Sequence, residues 1–175
     1  MKDIKRKVVY AILIVVCFLL NSMLFPHLTI ASVQPNLILI LIAAIGFMRG
    51  KTEGLVVGFC AGLLVDVFNN NLLGIHALLY MLIGYGNGFF KHVFYDEDIK
   101  LPLGLITASE VIYGIFIYIF YFMLKGDFRF LYYLRHIIIP ETLYTIMVTL
   151  VLYRIILHFN QKLEEEEQKG ASKFV

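Results

Sequence analysis

Asp66, Glu110 and Glu141 are carboxylates standing in or beside long apolar stretches of this chain. A carboxylate at mid-membrane costs about 2.5–3.5 kcal/mol on insertion scales, so such groups usually face a bundle interior. Their chemistry there is to carry a proton, hold a solute, or anchor structure by accepting hydrogen bonds. Glu110, in "TASEV", reads either as a hydrogen-bonded structural acid or as a proton or solute site. Asp66 reads either as an ordinary interfacial aspartate or as a polar anchor that orders the turn Asn69–Gly74 or a partner. Glu141 follows Pro140 and is most simply a first-turn acid.

Catalytic chemistry finds no support. His27, His76, His92, His136 and His158 are scattered without metal-ligand spacing, and neither H-E-x-x-H nor G-x-S-x-G occurs. "GYGNG" at Gly84–Gly88 lies within an apolar segment and reads as helix packing, not phosphate binding. No cofactor, metal or nucleic-acid partner is expected, and the chain is read as non-enzymatic. Cys17 and Cys60 fall in apolar segments and read as packed thiols rather than a disulfide.

Spacing is more informative at the glycines. Gly50, Gly54, Gly58, Gly62 and Asp66 recur every fourth residue. Four residues advance an α-helix by about 400°, so each member lies about 40° from the last and together they make a slowly winding groove. In lipid, small residues at this spacing let helix backbones approach. Gly84 and Gly88 repeat the device. The face serves either packing within the protein's own bundle or contact with another protein.

The elements that carry these residues follow from composition. Of the 175 residues, 60% are hydrophobic and 16% charged, against about 25% charged in soluble domains. Val8–Phe25 carries no charge and Leu101–Leu124 only Glu110, as membrane spans do. An all-α integral membrane protein of about six transmembrane helices is predicted. Its segments are Val8–Phe25, closed by Pro26; Leu37–Met48, after Pro35 and a capping Asn36; Glu53–Phe68, capped by Thr52; Ile75–Phe90; Leu101–Leu124; and a last one ending near His158. Pro140 is either a first-turn proline of that last helix or a kink in a helix begun near Arg135. The second segment covers roughly 18 Å of a core about 30 Å thick. The second and third segments therefore form either a re-entrant pair or short, partly shielded spans. With both termini inside, only Lys125, Arg129 and Arg135 of the 15 basic residues fall outside, which the positive-inside rule favours over a re-entrant pair. "KGDFRFLYYLRH" is expected to lie along the outer interface. Residues 1–160 form one membrane domain and 161–175 a polar cytoplasmic tail, read as a solvated helix extension or a docking tail.

Pro35-Asn36, Arg49-Gly50, Glu53-Gly54, Gly58, Gly62, Asp66, Gly74, "HALLYMLIGYGNG" from His76, Pro140-Glu141 and Tyr153-Arg154 form an ordered set. In this set the chain resembles the MreD family of bacterial rod-shape-determining membrane proteins. It departs from that pattern at Lys51, where members often carry proline, and at Asn69-Asn70-Asn71, where they often have a Gly-Pro-rich turn. The resemblance implies a non-catalytic plasma-membrane subunit of the cell-wall elongation machinery. Its implied partners are an MreC-type single-pass protein, with MreB, RodA and a penicillin-binding transpeptidase. The six-span architecture is also similar to the substrate-binding components of energy-coupling-factor vitamin transporters. The rival reading is therefore a membrane solute-binding subunit, and few polar groups in the sequence visibly converge to support it.

Overall fold

A computed structural model describes residues 2–24, 33–68, 74–93, 99–123 and 129–171. Those residues are almost wholly helical. Helix α1 spans Lys2–Leu19 and continues as a π-turn over Leu20–Leu24. Then come α2 (Leu37–Arg49), α3 (Lys51–Phe68) and α4 (Ile75–Asn87), the last running into a 3-10 turn over Gly88–Val93. Helix α5 covers Lys100–Tyr121. A short α6 (Phe130–Tyr133), a π-turn (Leu134–Ile138) and α7 (Ile139–Ala171) form one continuous helical path. The expectations for Pro26, for Asn69–Asn71 and for Lys125–Asp127 lie outside the described residues.

At the centre is α2. Every residue from Leu37 to Met48 is buried, with α1, α3, α4, α5 and α7 packed around it. A helix apolar all round belongs inside protein or lipid. This one has 13 residues, so it rises only about 20 Å. Its neighbours shield the short helix, which is how a segment shorter than the bilayer core is accommodated. The outer faces of the surrounding helices are apolar instead, with Val56, Phe59 and Leu63 on α3 and Met147 and Val151 on α7 exposed. Such a surface suits lipid and would be a liability in water. Three helical stretches are long and apolar enough to cross a membrane: Lys5–Met23, Lys100–Tyr121 and Phe130–Leu163. The chain is an all-α membrane protein.

Side-chain contacts fix the helix directions. Glu53, early in α3, meets Arg6 at 3.2 Å and accepts from the Tyr10 hydroxyl at 3.0 Å. Arg49 Nε donates to Asn160 Oδ1 at 2.5 Å, and Gly88 abuts Lys51. At the other end Asp66 meets the start of α4, and the Asn36 N–H donates to Thr145 near the start of α7. The principal helices therefore alternate in direction, with the beginning of α1 and the later part of α7 at one end.

Several boundaries differ from the sequence reading. Thr52 does not cap α3, because Gly50 makes the whole turn. Its φ of 106° is open to glycine, its N–H still bonds the Gly46 carbonyl, and α3 begins at Lys51. The charged N-terminus is helical from Lys2, ahead of the apolar run. Cys60 is exposed rather than packed, since it stands two residues from both Gly58 and Gly62 and so projects from the opposite side of α3. Pro140 is the second residue of α7, so it stands in that helix's first turn, directly after a π-turn in a helical path that begins at Phe130. The Phe130–His136 part of the aromatic-basic stretch is helical and continuous with α7. The acidic run 164–167 is likewise helical, as an extension of α7.

Candidate functional site

The predicted groove on α3 faces α4. A Cβ at Gly54 would sit under 3.0 Å from the Gly84 backbone carbonyl and from Gly46 Cα. One at Gly58 would strike the backbone of Tyr80 and Met81, and one at Gly62 that of His76 and Ala77. From the other side, Gly84 abuts the Gly54 carbonyl, and Gly88 abuts Gly50 and Lys51. Only a hydrogen fits at these points. The seam is internal, and Gly46 brings α2 into it against Gly84 and Asn87. Because lipid tails are as apolar as leucine, burial alone gives these helices little driving force to associate. Many close contacts of about 0.1–0.2 kcal/mol each must do it, and the glycines bring the backbones near enough to make them.

Asp66 closes the seam. It is fully buried and accepts from the backbone N–H groups of Gly74 (2.9 Å), His76 (3.2 Å) and Ala77 (3.0 Å). Its Oδ1 also lies 2.8 Å from His76 Nδ1. The first N–H groups of a helix have no partner within it, and the helix dipole favours a negative charge there. Asp66 on α3 thus caps α4 in trans, doing what no side chain at Gly74 can do. Gly74 itself enters the helix at a φ of 103°. Hydrogen bonds to a charged group contribute roughly 1.5–3 kcal/mol each, so this set outweighs the cost of one carboxylate in the membrane.

Next to this cap begins α2. Asn36 Oδ1 accepts from the Leu39 N–H at 3.1 Å, as its N-cap position requires, and from the Tyr80 hydroxyl at 3.2 Å. The Asn36 N–H donates to Thr145 Oγ1 at 3.2 Å. The chain leading into α2 is therefore buried among the helices, and irregular backbone inside a membrane protein is tolerated when it lines a cavity. It does so here. A cavity of about 500 Å³ opens beside Pro35 and Asn36, bordered by Asn21, His76, Tyr80, Tyr113 and Glu141. Glu141 is in the first turn of α7 as expected, and it faces this space.

Glu110 on α5 is 2% exposed. The Thr145 hydroxyl is its hydrogen-bonding neighbour, and Glu141 acts on it electrostatically. That contact is a loose one, outside close hydrogen-bond geometry for either oxygen among the described residues. Pro35 is buried behind the cap, Arg49 is held by Asn160, and Glu53 by Arg6 and Tyr10. Among the described residues no group of three or more metal-ligating side chains occurs.

Sequence reasoning missed His76, Tyr80, Tyr113, Thr145 and Gly46 as parts of these arrangements. Gly46 carried a signal, since the four-residue step continues upstream from Gly50. The tyrosines and Thr145 come from three separate helices and share no local spacing.

Residues 1–163 match the family described as rod shape-determining protein MreD. No curated protein and no solved structure matches the chain. The family match covers nearly the whole chain, which therefore belongs to the MreD family of rod-shape-determining membrane proteins.

Proposed function

We propose that this member of the MreD family is a non-catalytic subunit of the bacterial cell-wall elongation machinery in the plasma membrane. It scaffolds an MreC-type single-pass protein and, through it, the peptidoglycan synthases, with MreB, RodA and a penicillin-binding transpeptidase in the same assembly. The family match over residues 1–163 is the observation that carries the reading. The glycine seam and the shielded α2 support it by giving a stiff core whose outer helices present apolar faces at which membrane partners can pack.

Recovery of an MreC-type protein with the tagged chain from detergent extracts is expected, together with rounding of rod-shaped cells on depletion. Tight vitamin binding by the purified protein, with normal cell shape on depletion, would instead favour the solute-binding reading. Both termini are assigned to the cytoplasm. In a background lacking Cys17 and Cys60, an outside thiol reagent should then label a cysteine at Asn70 or Asp127 but not at Lys51 or Asp96. Labelling at Lys51 would overturn this topology.

A further inference from the structure

The cavity at the start of α2 has the size of a small-ligand site, about 500 Å³ against a usual range of roughly 300–1,000 Å³. Its chemistry is one-sided. Glu141 lines it, and Glu110 stands behind, buried beside the Thr145 hydroxyl. No lysine or arginine lines it among those residues. His76, on its border, is engaged with Asp66. Aromatic faces complete the wall: Tyr80 and Tyr113 stack at 5.3 Å between centroids, and His76 packs against both. Asn21, whose side-chain oxygen is buried and has no partner among the described residues, supplies an acceptor from the π-turn after α1.

Carboxylates at membrane depth are found paired or turned toward a water-filled cavity. Tyrosine rings beside an acid attract cations through their negative faces, while an anion would meet two acids and, among the described residues, no lysine or arginine. A bare metal ion would leave most of the volume empty. We propose that this cavity binds an organic cation, an ammonium or guanidinium group, with Glu141 as its counter-ion and the Tyr80–Tyr113 pair as its aromatic wall. Such a group arrives either on a free small molecule or on a basic side chain of a peptide. The site is independent of the scaffolding role, since it is measured on the isolated protein.

The chain has 11 tyrosines, nine of them outside the wall, and no tryptophan, so tyrosine fluorescence is read free of tryptophan emission and the change on titration, not the total signal, reports the wall. The purified full-length protein in detergent is titrated with n-butylguanidinium and with n-butylurea, its neutral isostere. A saturable change with the guanidinium and none with the urea is expected. Glu141→Gln is expected to weaken binding at least about tenfold, as loss of one partner of a buried charge pair does. A matching series with an arginine-containing pentapeptide separates the two sources, tighter peptide binding indicating a basic side chain and weaker binding a free cation. Equal responses to guanidinium and urea would overturn the proposal on the wild-type protein alone, even where Glu141→Gln fails to fold. Undiminished binding in a folded Glu141→Gln protein would overturn the assignment as well, and so would displacement by equimolar sodium.

Discussion

Along α3 and α4 two helices touch backbone to backbone, and Gly54, Gly58 and Gly62 leave no room for a side chain. Around Asn36, α1, α2, α4, α5 and α7 stand far enough apart to leave a cavity of about 500 Å³, edged by polar groups. Asp66 belongs to both regions: it ends the dry seam, and its partner His76 borders the open space. In lipid these arrangements answer different needs. The seam supplies the dispersion contacts that hold short helices together. The cavity tolerates polar groups and irregular backbone that hydrocarbon would reject. One region has no space to give, and the other has space but few spare hydrogen-bond donors.

The strongest way to break this contrast is to fill the seam. Gly58→Leu puts a branched side chain against the backbone of Tyr80 and Met81, which cannot swing aside as a side chain can. Destabilisation of about 3 kcal/mol, the upper part of the overpacking range, is expected, read as loss of folded protein in membrane extracts. Asp66→Asn should cost somewhat less, about 2 kcal/mol, in keeping with a buried donor left without its acceptor. The amide keeps one oxygen but turns its NH₂ toward N–H groups, so the start of α4 should lose hydrogen-exchange protection before α3 does. The smallest effect is expected at Gly86, on the same helix as Gly84 but with open space around its Cβ position. Gly86→Ala should be neutral or stabilising by up to about 1 kcal/mol, because alanine suits a helix better than glycine. Thermal unfolding of the purified variants checks the last two, and a Gly86→Ala as harmful as Gly58→Leu would erase the distinction between the glycines.

The two regions were unequally legible in the sequence. Gly54, Gly58, Gly62 and Asp66 share one helix and one period, so their common face is written in local spacing. The same holds for Asn36 as the cap of α2 and for the all-apolar run that must be buried. The partners of those residues were not legible. Asp66 reaches the start of α4 only because Gly74 turns the chain at positive φ, and Thr145 meets Asn36 across more than a hundred residues. Glu141 could be placed in a first turn from Pro140, but which way it faces depends on how α7 rotates against α5. Thr52 misled because serine and threonine caps are common, whereas here one left-handed glycine turns the chain with no room for a separate cap.

The central claim is that the glycine face is internal, a seam of the protein's own bundle and not a surface offered to a partner. The most direct test compares membrane abundance with recovery of the MreC-type partner per molecule in Gly58→Leu. Leu63→Ile, a change on the outer side of α3, serves as the reference. The account predicts that abundance falls steeply in Gly58→Leu and holds in Leu63→Ile, while the Gly58→Leu protein that survives retains its partner. Normal abundance in Gly58→Leu with loss of the partner would contradict it.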